Sequence, residues 1–360
     1  MNIAKQITRR VWWLPLVMSA GVLNAAPSDE AWSVWNEAAI DQHVIPRYQT
    51  LAEQSAAMQS AVAGYCKAPD ADSLSGARDA YVEAMLAWQG IQHVNFGTVL
   101  YLMRDSAMQF WPDRKNVGRR QLRAALSYSG GAYDEEYFRD ASISVKGFPA
   151  LESLLFDEAI ADKREKFPRY CELMTAIAGN IAQMTDSIAV QWDDARSQYT
   201  DAGHNTFFEE PADASAQILK SLVEPLEVLR DTKILRALDE SAAESNWKRS
   251  ESWRSGISVA NLSANVAALE ALYQGTKPLS VKGLLEAQDQ TALAVAISDQ
   301  FAQIRAHLKT IAEPQAGPLS EAQWQDLNAL AGQIRDLNEQ LDEAMLALGI
   351  NLGFNSRDGD

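Results

Sequence analysis

Apolar residues recur every three or four positions along most of the chain, and they almost never alternate singly with polar ones. From Val44, the residues Tyr48, Leu51, Met58, Val62 and Tyr65 fall on one helical stripe, with Pro46 near its start, where proline does least harm. A second helix is expected from Asp72 or Ser73, carrying Ala77, Tyr81, Met85 and Trp88 toward Phe96 and a stop at Gly97. A long helix is expected over residues 167–195, where Leu173, Ile177, Ile181, Met184, Ile188 and Trp192 make the core face of a bundle. In the second half, Ile218, Leu219, Leu222, Leu226 and Leu229 form a stripe in which Pro225 should produce a kink. Val259, Leu262, Val266, Leu269 and Tyr273 form the next, after an opening at Arg254-Ser255-Gly256. Pro278 and Ser280 open a short helix, and residues 295–308 a longer one. The last helix has the clearest ends. Ser320 with Gln323 forms a capping box, Trp324, Leu327, Ile334, Leu337, Leu341, Met345 and Leu348 share a face, and Gly349 terminates it. No segment has the bounded alternation of a strand. The expected class is all-α, with two helical-bundle domains packed against each other.

The interruptions in this pattern organise the chain. Residues 109–114 read as a turn with aromatic anchors, and residues 127–133, with Gly130-Gly131, as a loop. Residues 196–212 lose periodicity and contain Gly203-His204-Asn205 and Glu209-Glu210-Pro211, which places the domain boundary there. Adjacent Phe207 and Phe208 suggest that this linker docks. The expected division is residues 1–25, 26–200 and 201–360. A short echo, Ala150-Leu151-Glu152-Ser153-Leu154 against Ala268-Leu269-Glu270-Ala271-Leu272, fits two similar halves but uses the commonest helix residues.

Residues 1–25 are read as a signal peptide. Lys5, Arg9 and Arg10 precede an apolar run over 11–23, broken by Pro15, and small residues stand at Ala25 and Ala26. The run is too short to span a bilayer. Cleavage after Ala25 is expected, by the general secretory route ahead of the twin-arginine one. No cysteine precedes Cys66, so no lipid-accepting residue stands at the mature terminus, and no stable membrane insertion is expected. The expected location is periplasmic.

Composition sharpens this. The 360 residues are 47% hydrophobic, ample for a core, and carry a net charge of −16. Losing the three positive charges of the leader moves this to −19. Such acidity argues against nucleic acid and anionic membrane as partners. The two cysteines of an exported chain, Cys66 and Cys171, are expected to form one disulfide.

Candidate chemistry is sparse. The four histidines make no His-x-x-Glu or His-Glu-x-x-His pattern, and no Gly-x-Ser-x-Gly elbow, phosphate loop or dinucleotide fingerprint occurs. His93 reads as a packed polar residue; the alternative is a ligand completing a site with Glu152. The most informative stretch is 147–156. Gly147 makes a turn, Pro149 opens a helix, and Glu152 precedes the apolar Leu154-Leu155-Phe156. Taken alone, Glu152 is a first-turn carboxylate suited to the helix dipole. Arg254 is either a surface residue or a bidentate partner for a carboxylate such as Glu152 or Asp113.

The chain resembles the imelysin family of bacterial envelope proteins, in its predicted periplasmic lipoprotein branch. That family carries Gly-x-His-x-x-Glu; Gly147 and Glu152 match, and Pro149 stands at the histidine position. Val44-Ile45-Pro46-Arg47-Tyr48, Trp88 to Gly97, Phe110-Trp111-Pro112-Asp113-Arg114, Trp253-Arg254-Ser255-Gly256, Asn261, Asn265, Gly353-Phe354-Asn355 and Asp358-Gly359-Asp360 continue the resemblance in order. It implies two bundles with a site between them, an envelope location, association with iron uptake, and a peptidase label. The site residues it implies are Glu152, Asp113, Arg254, Ser255, Asn355 and Asp358. With proline at the histidine position, the label is the weaker expectation. The reading is a non-catalytic accessory protein binding a small ligand or metal chelate beside envelope iron-uptake components, with no resident cofactor. The rival is a metal-dependent peptidase using Glu152 with ligands from elsewhere, His93 included.

Overall fold

The computed structural model describes residues 26–161 and 166–352; residues 1–25, where a signal peptide is expected, and Asn355 and Asp358 lie outside them. The first half holds α1 (Asp29–Ala39), α2 (Ile45–Lys67), α3 (Ala71–Gln89), α4 (Arg104–Met108), α5 (Val117–Leu126), α6 (Glu135–Asp140), α7 (Phe148–Phe156), α8 (Glu158–Ala161) and α9 (Tyr170–Thr200). The second holds α10 (Pro211–Glu227), α11 (Arg236–Leu238), α12 (Ser258–Gln274), α13 (Val281–Ala287), α14 (Thr291–Leu308) and α15 (Glu321–Ala347). No strand occurs among the described residues, and the fold is all-α. None of their helices is long and apolar enough to cross a membrane.

Helices α2, α3 and α9 pack side by side, with α7 wedged against α3 and α9. The stripes meet here: Tyr48 stacks on Trp192 at 6.0 Å, and Phe96 meets the same indole edge-on at 5.8 Å. Cys66 at the end of α2 and Cys171 at the start of α9 form the disulfide, with Cα atoms 5.4 Å apart. In the second half, α10, α12, α14 and α15 bury the facing stripes of Leu222, Leu269, Phe301 and Leu337. The capping box of Ser320 and Gln323 opens α15, and Gly349, at φ 72°, follows its end.

The two groups meet along α3 against α12. Helix α1, unmarked in the periodicity reading, lies across α10 as well as α9. Its buried Asn36 donates to the Pro211 carbonyl (2.9 Å) and accepts from the Ser215 hydroxyl (2.7 Å). Several boundaries shift. Helix α3 ends at Gln89, capped by Gly90 and short of Gly97, and α9 runs five residues past Ala195. Phe208 docks on Tyr199 at 5.4 Å, whereas Phe207 is exposed.

Two π-helical segments break the regular winding, Ile40–Val44 before α2 and Val228–Leu235 after α10. The second begins three residues after Pro225. A proline inside a helix cannot donate to the carbonyl four residues back, and the chain relieves this by widening instead of by a sharp break. Each widened turn buries one chemically unusual side chain, His43 in the first and Lys233 in the second.

Candidate functional site

Helix α7 begins where Gly147 presses against the end of α4. A Cβ at 147 would run into the carbonyl oxygens of Ala107 and Met108, so only glycine permits this approach. Phe148 is the first helical residue and Pro149 the second, and both tolerate the unpaired helix start. Glu152 consequently sits beyond the first turn, correcting its assignment as a dipole cap. It points into the protein and is 4% exposed.

Its partners come from the second half. The backbone N–H groups of Arg254 (3.1 Å) and Ser255 (3.0 Å), and the Ser255 hydroxyl (2.9 Å), all donate to Glu152 Oε1. Oε2 carries no hydrogen bond from the described residues. Burial pushes the carboxyl above its ordinary range, while the Ser255 N–H, the Arg254 charge and the Ser255 hydroxyl pull part of the way back. The Arg254 guanidinium goes elsewhere: Nε donates to Asp157 Oδ2 (3.3 Å), and the fork lies 4.3 Å from the Trp253 ring centre. Of the two readings of Arg254, a surface residue or a bidentate partner of Glu152 or Asp113, neither describes it: it serves Glu152 through its backbone N–H and Asp157 through its side chain.

Asp113 turns both oxygens to the start of α5, accepting from Val117 N–H and Gly118 N–H at 2.8 Å each. It still lines the cleft of about 810 Å³ that Pro149, Glu152 and Asp157 share with Arg236, Lys248, Trp253 and Arg254. That volume suits a small ligand. Of the expected residues, Glu152, Asp113 and Arg254 thus face one cavity, with Ser255 clamping Glu152 beside it.

Behind this cleft lies a buried polar web absent from the periodicity reading. Lys233 Nζ donates to Gln89 Oε1 (2.7 Å), Asn265 Oδ1 (2.9 Å) and Glu251 Oε2 (2.9 Å). Glu251 also accepts from Gln109 Nε2 (2.7 Å) and Asn261 Nδ2 (3.2 Å). Burial lowers the Lys233 pKa, opposed by the adjacent Glu251 carboxylate. Lys233 continues the spacing of Leu222, Leu226 and Leu229, and a lysine in phase with an apolar stripe is the signal that would have found it. Glu251 lies in a turn without periodicity and offers no such signal. Gln109, Trp111, Arg114 and Glu251 form a wall between the first cleft and a second of about 880 Å³.

The second cavity, not the first, receives His93. The ring Nε2 atoms of His93 and His43 lie 2.8 Å apart, so one ring donates to the other. Burial pushes the His93 pKa down to about 3, and burial beside His93 and Arg47 lowers that of His43 well below its usual value. His93 therefore pairs with His43 and does not complete a site with Glu152. A catalytic zinc centre requires three converging protein ligands. No group of three or more His, Cys, Asp or Glu that could hold a metal ion occurs among the described residues. These residues do not fit a metal centre, and no chemical step is assigned to one.

Comparison with known proteins gives a consistent picture. A family model described as Imelysin matches residues 44–344. Iron-regulated protein A of Synechococcus elongatus is 26% identical over 293 residues, spanning 76% of this chain and 74% of its own. The crystal structure of an imelysin-like protein from Psychrobacter arcticum superposes with a TM-score of 0.77 at 20% identity, covering 92% of this chain and 99% of that one. An iron-regulated protein A precursor from Parabacteroides distasonis gives 0.68 at 18% identity, covering 91% and 95%. At such identities the two structures establish the shared fold.

Proposed function

The chain belongs to the imelysin family, and from that premise we propose that it is an exported, non-catalytic accessory protein of iron acquisition. It captures a small polar ligand or metal chelate in the cleft beside Glu152, between a first bundle ending near residue 200 and a second beginning after it. The observation that carries this reading is the clamp on Glu152. Three donors from residues 254–255 fix one carboxylate oxygen, and the other has no protein partner among the described residues. A group held in place before the ligand arrives loses little freedom on binding.

Iron enters through the relatives, two of which are named iron-regulated protein A. Export is supported by the charged and apolar leader, the disulfide, and the word precursor in the name of one relative. Envelope iron-uptake components are the partners this assigns. The rival peptidase reading lacks a donor set, because Pro149 offers no ligand and His93 lies in the other cavity.

Calorimetric titration of the mature protein with ferric complexes of simple chelators and with free ferrous ion tests the proposal. Saturable binding of one iron species is expected, weakened at least about 10-fold in Glu152→Ala, the scale of one charge-assisted hydrogen bond. Absence of binding across the panel, or binding indifferent to Glu152→Ala, would overturn it.

A further inference from the structure

The charges around the first cleft are unevenly committed. Each of its four acids already has partners, Glu152 through one oxygen only. Asp113 accepts two backbone N–H groups, and Glu152 Oε1 accepts three donors. Asp157 holds Arg254, and Glu251 holds Lys233. The bases are balanced only in part: Arg254 pairs with Asp157 and Arg249 with Asp239. Arg114, Arg119, Arg236 and Lys248 all line the cleft, and none makes an ion pair with a described carboxylate.

Arg236 is the most exacting of the four. Its Nη1 is buried and has no hydrogen-bond partner. Its guanidinium lies 5.7 Å from the Trp111 ring centre, and the charges of Arg114 and Arg249 press on it. Burial and these like charges lower its pKa. In a chain of net charge −16, nearby carboxylates would be the default company for a cluster of arginines. Four cations without an ion-pair partner lining a cavity of about 810 Å³, two of them repelling each other, leave an unfilled demand for oxyanions. Guanidinium forks meet that demand in paired hydrogen bonds, and Trp111 and Trp253 line the same cavity.

We propose that the ligand of this cleft is a small polyanion presenting carboxylate or phosphate oxygens to Arg236 and Arg114. This rests on the binding reading above and gives its ligand a charge class: an iron complex admitted here is an anionic, oligocarboxylate-type chelate. Glu152, beside an anion, favours its protonated form and donates from Oε2.

The test is calorimetric titration of the mature protein with four probes: citrate, ferric citrate, inorganic phosphate, and the uncharged ferric tris(acetohydroxamate). Each is repeated on Arg236→Gln, Arg114→Gln and Glu152→Gln, whose folding is checked by circular dichroism. Citrate, its ferric complex or phosphate is expected to bind, with Kd rising about 10-fold or more in each arginine variant. The response to citrate against phosphate separates the two oxyanion sources. The uncharged complex binding as tightly as ferric citrate, or anion binding unchanged in Arg236→Gln, overturns the inference. Glu152-dependent binding of the uncharged complex alone would remove the anion inference and keep the site. Arginine-dependent binding of citrate or phosphate that excludes ferric citrate would keep the anion site and remove the iron reading.

Discussion

Lys233 has three N–H donors and meets four acceptor oxygens, those of Gln89, Glu251 and Asn265 within 2.9 Å and that of Gln92 at 3.4 Å. Removing such a lysine leaves a buried carboxylate without its counter-ion. Lys233→Met is therefore expected to cost about 3–5 kcal/mol, and Lys233→Met with Glu251→Leu to recover much of it, both read by urea denaturation. A full-cost double variant would show that the neighbouring amides, not the charge, set the penalty. Gly147 poses the complementary problem, with no room instead of no partner. Gly147→Ala drives a methyl into two backbone carbonyls, which cannot swing aside as a side chain can. About 1–3 kcal/mol or more should be lost in a thermal melt. Pro149→Ala, two residues on, should change stability by less than about 1 kcal/mol, because the helix start does not need the missing N–H.

At the scale of elements, the π-helical segments are where regular expectation and structure part. Periodicity located α2, α9, α12 and α15 because each buries a stripe that repeats at helical spacing. It could not locate α4, α6 or α8, which are too short to show a repeat, nor α1, whose buried face carries only two large apolar residues, Trp32 and Trp35, beside Asn36 and alanines. The candidate site was legible only in part. Gly147 and Glu152 are neighbours in sequence, but their partners Arg254 and Ser255 lie about a hundred residues away, and nothing local marks Arg236 or Lys248 as cleft residues. The pairing of His43, in the first π segment, with His93 also predicts a pH response. His93 titrates at about 3 when folded against 6.5 when free, so the unfolded chain binds the proton between those values and the folded chain refuses it. The contribution of this histidine to stability is complete above pH 6.5 and declines as pH falls toward 3. Chemical denaturation at pH 7.5 and pH 5 should show the loss, and His43→Leu with His93→Met should reduce it. An unchanged slope would assign the acid sensitivity to other groups.

At the scale of the molecule, a strongly acidic chain surrounds a cleft in which four bases have no ion-pair partner among the described residues. Net charge describes the field far from the surface, while a cavity responds to the few charges that line it. The disulfide adds a constraint of another kind. Cys66 and Cys171 are 105 residues apart, and closing so large a loop can contribute roughly 4–5 kcal/mol by restricting the unfolded chain. Reduction should lower the melting temperature, and Cys66→Ala with Cys171→Ala should match the reduced wild type. That bond also turns half the site into a covalent ring. Asp113, Arg114, Arg119, Glu152 and Asp157 lie inside the loop it closes, and Arg236, Lys248, Glu251 and Arg254 lie outside. A protease nick anywhere in the ring yields no separate fragment while the bond holds. Glu152 and Arg114 thus sit in a stretch of chain tethered at both ends, whereas Arg236 and Lys248 lie outside it, and any rearrangement on ligand capture falls more easily to Arg236 than to Glu152 or Arg114.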